Sequence, residues 1–374
     1  MRILIVSHAC VTPVNQEFFA EVERQTGWDV TIVAPATWKT EYGRKELRRW
    51  EGFEGNLIGL PVLGSGNIPL HVYRSFLLSL LYDVDPDVIY MHHEPYGAAT
   101  AQVYAANALA QRVPIGFFTW QNINKRYPTP FRQLEQWVFT QSTFAVSGSD
   151  SASAVLREKG YSGPVSIIPA GIDPTLYTSS VRRDALPDLP DDAIQIGFVG
   201  RIIEEKGLHT MLQALARVEG IPWHWTLVGT GAYTDPLTEL AERLGVADRL
   251  TFTGYVDHTE VPTYLAGFDL VVMPSETQPN WKEQFGRVII EAMACGTPVL
   301  GSDSGEIPHL IKRTGGGLVF REGNIDHCMT QAARLLADAD LREQLAAEGK
   351  TYVVQHYTNA ALTEKFVDTI RSSV

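Results

Sequence analysis

Two glutamates in the stretch NWKEQFGRVIIEAMACGTPVLGSDSGEIP (residues 280–308) have the residue type and spacing for a binding site. Seven residues separate Glu283 from Glu291, and Glu291 lies in an apolar run with helical periodicity. A carboxylate in apolar surroundings costs free energy unless it is hydrogen-bonded, so both residues need polar partners or a ligand. An alternative for Glu283 is a carboxylate near a helix start, favoured by the helix dipole.

Two cations follow another strand-like run, in the sequence FVGRIIEEKGLHTML. Arg201 comes directly after Gly200 at the end of the run, and Lys206 stands five residues later, where a helix is predicted to begin. Two cations beside a helix N-terminus suit a diphosphate, because backbone N–H groups add to their charge. The alternative is that they are solvated loop residues paired with the neighbouring Glu204 and Glu205.

Glycines end two further strand-like runs. Gly229 and Gly231 lie in LVGTG, but Thr234 stands where a dinucleotide fingerprint requires glycine or alanine, which argues against NAD binding and favours a tight turn. In FTGYVDH, the backbone around Tyr255 and Val256 could contact the edge of a base.

Two adjacent histidines, His92 and His93, follow the run DVIYM. Neighbouring strand residues point to opposite faces of a sheet, so at most one of them should face a ligand. Adjacent histidines are therefore weak support for a metal site, and no metal is predicted.

The elements that must position these residues alternate between short β-rich runs and helical patterns, which predicts βαβ units and parallel sheets. The predicted strands are RILIVS, DVTIVAP, DVIYMH, PIGFFTW, TFAVSGS and PVSIIP in the first half, and IQIGFVG, HWTLVG, LTFTG, LVVMPS, PVLGSD and GGLVF in the second. The pattern stops at DALPDLPDD (184–192), a Pro- and Asp-rich linker, and then restarts. The predicted fold is α/β with two tandem domains. The domains are 1–183, together with a terminal helix at about 358–374, and 193–357.

Composition and charge exclude several classes of protein. The net charge of -12 argues against nucleic acid as a partner. Residues 1–185 hold 16 Lys/Arg and 17 Asp/Glu, so almost all of the negative charge lies in the rest of the chain. Three scattered cysteines predict a reducing cytoplasm, and the N-terminus reads as a β-strand and not as a signal peptide.

One basic segment stands out in this acidic chain. The segment Trp38–Trp50 contains five Lys/Arg residues between two tryptophans. It could meet anionic lipid at the inner membrane face or a diphosphate-bearing acceptor. A solvated surface helix is the alternative.

Together these motifs resemble the retaining glycosyltransferases of family 4, which have the GT-B fold. The matching motifs are Gly200-Arg201 with Lys206-Gly207, PAGID (169–173), LVGTG, FTGYV, VVMPS and the Glu283-x7-Glu291 stretch that runs into EAMACGTPVLGSDSGEIPHLI. The resemblance implies two Rossmann-like domains facing across a cleft, with the C-terminal helix crossing back to the first domain.

The resemblance also implies a role for each candidate residue in the second domain. Glu291 would accept hydrogen bonds from ribose hydroxyls and Glu283 from hydroxyls of the donor sugar. Arg201 and Lys206 would neutralise the departing diphosphate without a metal or other cofactor. The remaining donor-binding residues would be Gly200, Gly229, Gly231, Tyr255, Val256, Phe285, Gly286, Arg287 and Val288.

The first domain departs from the family pattern in two places. Asn15 and Gln16 stand where the family often has a Gly-Gly pair, and Gln121 stands where many members carry a histidine in Thr-x-His. Gln121 cannot titrate, so it could position a sugar but not act as a base. His93 is then the better candidate for a catalytic histidine in the cleft.

The predicted function is a cytoplasmic, metal-independent hexosyltransferase that retains anomeric configuration in polysaccharide biosynthesis. It would move a hexose from a nucleotide sugar, with UDP-glucose favoured, to a glycan or lipid-linked acceptor. Three alternatives remain: a catalytically weak nucleotide-sugar-binding subunit, a nucleotide-sugar epimerase, and a phosphorylase of the same fold. The phosphorylase would need a lysine-linked cofactor that the sequence does not indicate.

Overall fold

Short apolar runs in the first half of the chain form a parallel sheet in the computed structural model, which describes residues 1–40, 43–110, 112–178, 186 and 193–374. The strands of this half are β1 (Arg2–Val6), β2 (Asp29–Pro35), β3 (Thr37–Thr40), β4 (Gly43–Glu46), β5 (Asn56–Leu60), β6 (Val62–Leu63), β7 (Val72–Tyr73), β8 (Val88–Met91), β9 (Ile115–Thr119), β10 (Phe144–Ser147) and β11 (Val165–Ile167). Seven of them form the main sheet in the order β11-β10-β9-β8-β1-β2-β5.

Helices cover both faces of this sheet. They are α1 (Glu17–Thr26), α2 (Leu77–Val84), α3 (Ala98–Leu109), α4 (Phe131–Gln141) and α5 (Asp150–Glu158). Because side chains alternate along a strand, β1 sends Ile3 and Ile5 into one core and Leu4 and Val6 into the other. A strand buried on both faces reads as a continuous apolar run, which is why β1 was recognisable in the sequence.

The second half of the chain repeats this architecture with six strands. They are β12 (Ile194–Val199), β13 (Trp223–Val228), β14 (Leu250–Gly254), β15 (Leu270–Met273), β16 (Val299–Ser302) and β17 (Gly317–Phe320). They pair in parallel in the order β14-β13-β12-β15-β16-β17. The helices between and after them are α6 (Leu208–Leu215), α7 (Thr234–Leu244), α8 (Val261–Gly267), α9 (Arg287–Ala294), α10 (Ile307–Thr314), α11 (Ile325–Ala337) and α12 (Ala339–His356).

The last helix, α13 (Asn359–Arg371), belongs to the first half of the fold, as predicted. Its residues Leu362, Phe366 and Ile370 are fully buried in the same core as Phe19 of α1. Thr369 Oγ1 also donates a hydrogen bond of 2.7 Å to Ser166 Oγ in β11.

The chain therefore forms two units. Unit 1 comprises Met1–Gly171 and Asn359–Val374, and unit 2 comprises Ile172–Thr358. All the predicted strands of both sheets are present, and the predicted α/β class is confirmed. The predicted linker at 184–192 lies outside the described residues except for Leu186.

The alternative of a surface helix in the segment Trp38–Trp50 is wrong. Strands β3 and β4 form an antiparallel hairpin in which Trp38 lies opposite Lys45. Trp38 is only 8% exposed, whereas Lys39 and Arg44 lie on the surface. The antiparallel pairing of Thr37–Thr40 with Gly43–Glu46 makes this part of the segment a pair of strands and not a helix.

Both sheets have a point where the strand order reverses. In the first sheet the reversal lies between β1 and β8, because β2 and β5 follow on one side and β9 to β11 on the other. In the second sheet it lies between β12 and β15, with β13 and β14 on one side and β16 and β17 on the other. In open α/β sheets, ligands bind beyond the carboxyl ends of the strands at such a switch point. The fold thus marks two places for ligands, one in each unit.

Among the described residues, no helix is both long enough and apolar enough to cross a bilayer.

Candidate functional site

Lys206 and Glu283 meet at the switch point of unit 2. Lys206 follows β12, Glu283 follows β15, and the Nζ and Oε2 atoms are 2.6 Å apart. Ser275 Oγ donates a second hydrogen bond to the same Oε2, at 3.1 Å. The Lys206 ammonium also lies 5.2 Å from the ring centroid of Trp281. Both charged side chains are 11% exposed, so removing either partner would leave a poorly solvated charge.

The loop after β16 holds the backbone of Glu283 in place. Glu306 N donates to Glu283 O at 3.1 Å. A Cβ on Gly305 would lie 2.1 Å from that same oxygen, and Gly305 has a φ of 56°, so only glycine fits. The SGE sequence that follows β16 therefore supports the backbone of the candidate carboxylate.

Glycines bring the ends of β12, β13 and β14 close together. Gly200 N donates to Val228 O, and Gly229 N donates to Gly254 O, both at 2.9 Å. A Cβ on Gly229 would lie 1.9 Å from Gly200 O, and one on Gly231 would lie 2.0 Å from Ile202 O. These glycines are required by close backbone packing at the carboxyl edge of the sheet.

Two predicted binding residues lie at the surface of this edge. Arg201, directly after Gly200, is exposed, and no ion pair of its guanidinium is found in the described part of the chain. Tyr255 is 69% exposed, and Val256 beside it is half-buried. Arg201 follows β12, which forms the switch point, whereas Tyr255 and Val256 follow β14 at the edge of the sheet. A ligand that extends along the carboxyl edge of the sheet could reach all three residues.

Helix α9 begins at the same edge without a side-chain cap. Gly286 precedes it in the left-handed conformation, with a φ of 77°, and as the N-cap residue it has no side chain that could accept a hydrogen bond from the first turn. Phe285 is buried, and Arg287 and Val288 form the first helical turn. Backbone N–H groups that lack intrahelical partners, together with the helix dipole, make such a helix start suitable for an anion.

Glu291, one turn into α9, has a partner that the sequence did not reveal. The Tyr177 hydroxyl donates to Glu291 Oε1 at 2.9 Å, and both residues are buried. Arg287 Nε also lies 2.9 Å from Oε1, a charge contact whose angle is too poor for a hydrogen bond. Burial and the nearby carboxylate raise the pKa of Tyr177, so the phenol stays protonated and remains a donor.

In unit 1, Asn15 and Gln16 lie in a short 3₁₀ helix. Gln16 is fully buried, and its amide donates to Cys10 O at 2.7 Å and Arg48 O at 2.8 Å while accepting from Trp50 N at 2.9 Å. Asn15 Nδ2 donates to Ala9 O at 2.7 Å. Both amides are thus engaged by the backbone, and Gln16 anchors the segment that follows β4.

Gln121 is also bonded within its own loop. Its Nε2 donates to Ile123 O at 2.7 Å, and its backbone N donates to Thr119 Oγ1 at 3.0 Å. Glu94 holds this strand end from the neighbouring strand, accepting from Thr119 Oγ1 at 2.6 Å and from Trp120 N at 2.8 Å. Burial raises the pKa of Glu94 to about 7.

The two adjacent histidines point in different directions, as strand alternation predicts. His92 Nδ1 lies 3.0 Å from Ser7 Oγ and its ring packs on Phe118. His93 is 3% exposed and contacts His8 instead. Among the described residues, no group of three histidine, cysteine or acidic side chains is arranged to hold a metal ion.

Sequence reasoning missed Tyr177, Ser275, Trp281 and His8. Tyr177 reaches Glu291 across 114 positions of sequence, so no local pattern could have paired them. The one signal for Tyr177 in the sequence was the position of this aromatic residue shortly after PAGID.

Two family models match the chain. Residues 184–352 match the family described as glycosyl transferases group 1, and residues 19–176 match Glycosyltransferase Family 4. The two family models thus match separate parts of the chain.

Curated relatives are similar to part of the chain. A lipopolysaccharide core biosynthesis glycosyltransferase, LpsE of Rhizobium meliloti, is 36% identical over 186 residues, which are 50% of this chain and 52% of LpsE. A GDP-mannose-dependent phosphatidylinositol monomannoside mannosyltransferase of Mycobacterium tuberculosis is 30% identical over 246 residues, 62% of this chain and 60% of that protein. The chain therefore spans about half to three fifths of the length of these relatives.

Solved structures show the same fold along the whole chain. Sucrose-phosphate synthase from Thermosynechococcus elongatus aligns with a TM-score of 0.75 and 20% identity, covering 99% of this chain and 98% of that one. Anabaena HepE in complex with UDP aligns with a TM-score of 0.75 and 17% identity over 100% of both chains. At such identities the likeness concerns the fold alone, and it confirms the predicted GT-B class.

Proposed function

The chain belongs to the family 4-like bacterial glycosyltransferases, and from that premise we propose that it transfers a hexose from a nucleotide sugar to a glycan or lipid-linked acceptor. The observation that carries this proposal is the Lys206–Glu283 pair at the switch point, beside the uncapped start of α9. A sugar diphosphate presents an anion next to several hydroxyls. A cation and free N–H groups suit the anion, and a carboxylate suits the hydroxyls.

Binding of the donor would change the partners of the ion pair. Lys206 and Arg201 would contact the diphosphate, and Glu283 would accept hydrogen bonds from the sugar hydroxyls. Glu291, already held by Tyr177, would accept from the ribose. The diphosphate gains charge as its bond to the sugar breaks, so the cations and the α9 start stabilise the transition state more than the bound donor.

We propose that the reaction retains the anomeric configuration and needs no metal. The acceptor would attack from the face that the diphosphate leaves, and a phosphate oxygen would take its proton. Arg201, Lys206 and the start of α9 would supply the positive potential that a metal provides in other enzymes. Activity that persists in a chelator is the corresponding expectation.

UDP-glucose is the proposed donor. Anabaena HepE, which shares the fold, has been solved with UDP and with UDP-glucose. The mycobacterial relative is named for GDP-mannose, which makes GDP-mannose the strongest competitor. Exposed Tyr255 and half-buried Val256 are proposed to contact the base.

The predicted cytoplasmic location and peripheral contact with the inner membrane face stay predictions. Arg44 and Lys45 are exposed on the β3–β4 hairpin. Lys39 N donates a hydrogen bond of 2.9 Å to Ser65 Oγ, so the loop that carries Ser65 and the exposed Leu70 lies next to the hairpin. Cations beside apolar side chains support contact with anionic lipid. Equal sedimentation of the wild type and of Arg44→Glu/Lys45→Glu with phosphatidylglycerol vesicles would contradict this contact.

The function is tested by thermal unfolding with UDP-glucose, GDP-mannose and ADP-glucose in a chelator. A donor at about 100 times its dissociation constant should stabilise the protein by about 2.7 kcal/mol. We expect UDP-glucose to shift unfolding and to release free glucose slowly when no acceptor is present. A shift without any sugar release would favour the catalytically weak binding subunit, and no shift with any donor would contradict the proposal.

A further inference from the structure

Three histidines and a tryptophan form a cluster in unit 1 that the proposed chemistry has not used. The rings of His8 and His93 have centroids 4.6 Å apart, and His71 lies 5.1 Å from His93 and 5.7 Å from His8. Trp38 packs against His71 at 4.9 Å and against His8 at 5.2 Å. We call His8, His71 and His93 the histidine cluster.

The cluster stands at the switch point of unit 1. His8 lies two residues beyond β1 and His93 two residues beyond β8, the two strands between which the sheet order reverses. Within the cluster, His71 is 0% exposed and His93 is 3% exposed, whereas His8 is half-buried. A ligand at the place where α/β sheets bind ligands could therefore reach His8 but not its two neighbours.

The hydrogen bonds determine which nitrogen of each ring carries the proton. The backbone N–H of His8 donates to His93 Nε2 at 3.1 Å, so the proton of a neutral His93 is on Nδ1. His93 Nδ1 lies 3.1 Å from His8 Nδ1 and must donate to it. The proton of a neutral His8 is then on Nε2. This nitrogen, which is not bonded to His93, is therefore a hydrogen-bond donor.

The same geometry keeps the pair neutral. A proton added to His8 Nδ1 would face the proton on His93 Nδ1, and the hydrogen bond would be lost. Burial, with the proximity of His71 and His92, lowers the pKa of His8 to about 3. The titratable groups that face His8 are the histidines His71, His92 and His93, with Trp38 as the remaining ring.

We propose that His8 contacts the acceptor in unit 1 by donating Nε2–H to a sugar oxygen, and that His93 is the positioning residue that fixes this tautomer. The inference rests on the proposed glycosyl transfer. It assigns His8 as a neutral hydrogen-bond donor and excludes it as a general base, because its lone pair is already used by His93.

The tautomers can be observed directly by NMR of the intact chain with ¹⁵N-labelled histidine. His8 is expected to hold its proton on Nε2 and to stay neutral down to pH 5. In His93→Phe the partner of His8 Nδ1 is lost, so both tautomers of His8 should be populated. A His8 that carries its proton on Nδ1 in the wild type, or that titrates near pH 6.5, would overturn the proposal.

The ligand contact is tested with octyl β-D-glucoside, octyl β-D-galactoside and octyl α-D-mannoside as simple lipid-linked sugars. We expect saturable binding of at least one, with a shift of His8 Nε2. His8→Gln keeps an N–H donor and should bind within about threefold of the wild type, whereas His8→Leu should bind about tenfold more weakly. His92→Gln, which alters a histidine bonded to Ser7, is the matched control and should bind normally.

Equal binding by His8→Leu and the wild type, or no shift of His8 with any of the three glycosides, would overturn the proposal. Hydrolysis of UDP-glucose without acceptor is measured on the same samples. Failure of hydrolysis in the wild type would count against the proposed transferase, while the glycoside titration would still report on His8.

Discussion

At the scale of single residues, the site depends on how each carboxylate is partnered. Glu283 shares one oxygen between Lys206 and Ser275, and Glu291 shares one oxygen between Tyr177 and Arg287. Each carboxylate is thereby oriented before a donor binds, which reduces the entropy lost on binding.

The Tyr177 hydroxyl should affect donor binding more than turnover. Tyr177→Phe removes one neutral-to-charged hydrogen bond to Glu291, which corresponds to about 1.5–3 kcal/mol, or about a 10- to 150-fold rise in KM for the donor. The value of kcat should change little, because the ribose does not react. Steady-state kinetics with UDP-glucose measures both constants.

The matched control for that substitution is Tyr73→Phe in unit 1, which removes a buried hydroxyl that has no hydrogen-bond partner among the described residues. It should leave both constants unchanged. A loss of kcat in Tyr177→Phe at unchanged KM would contradict the role of Tyr177 in donor binding.

The buried histidines should make stability depend on pH. Burial lowers the pKa of His8 to about 3 and of His92 to about 4, so between about pH 4 and 6.5 the unfolded chain binds protons that the folded chain does not. The free energy of unfolding should then rise with pH across this window. Glu94, with its pKa raised to about 7, and Glu135, whose pKa burial also raises, act in the opposite direction above about pH 4.5. Burial likewise lowers the pKa of His71 and His93, which adds to the effect of His8 and His92.

Urea unfolding at several pH values measures that dependence. His92→Asn removes one of the titrating groups and should reduce the slope by up to about 1.4 kcal/mol per pH unit. A slope that is the same in the variant and the wild type would show that His92 does not hold a lowered pKa in the folded protein.

At the scale of elements, continuous apolar runs were sufficient to predict the strands that are buried on both faces. In unit 2 this describes β12, β13, β15 and β16, whereas the edge strands β14 and β17 are only partly buried, and all six were predicted. Strand β5, NLIGL, was missed because Gly59 interrupts its apolar run after only Leu57 and Ile58. The β3–β4 hairpin was missed because all of β4 is exposed and only Trp38 of β3 is buried, so the hairpin has no apolar alternation in the sequence.

The site was predictable to the extent that its residues follow strands. Lys206, Glu283 and the glycines of the sheet edge lie at strand ends or in the loops that follow strands, so the switch-point rule could place them. Tyr177, His8 and His71 act through contacts between distant segments, for which the sequence carries no periodic signal. Tertiary packing alone brings them to their partners.

Helix α13 offers a test at this scale. Phe366 is fully buried between α13 and the core of unit 1, so Phe366→Ala should destabilise unit 1 by about 3–5 kcal/mol. Hydrogen exchange should rise in β1, α1 and α13, with unit 2 unchanged. Glu364→Ala on the exposed side of the same helix is the control, and an equal effect of both substitutions would contradict the packing role.

At the scale of the whole molecule, each unit has its own sheet, its own core and its own switch point. Unit 2 gathers cations, a carboxylate pair and a free helix start at that point, which suit a nucleotide sugar. Unit 1 gathers neutral histidines at the corresponding point, which suit an uncharged sugar. The difference in charge agrees with the sequence, since residues 1–185 have nearly equal numbers of Lys/Arg and Asp/Glu.

The central claim is that Glu283 and Lys206 serve a retaining transfer from a nucleotide sugar. The most direct test is time-resolved ¹H NMR of the glucose released from UDP-α-D-glucose in a chelator. The wild type should release α-glucose first, and Glu283→Gln should release it about 10- to 150-fold more slowly, the loss expected for a charged hydrogen bond. Glu343→Gln, on the exposed side of α12, is the control and should match the wild type. Release of β-glucose first, or equal rates in Glu283→Gln and the wild type, would contradict the account.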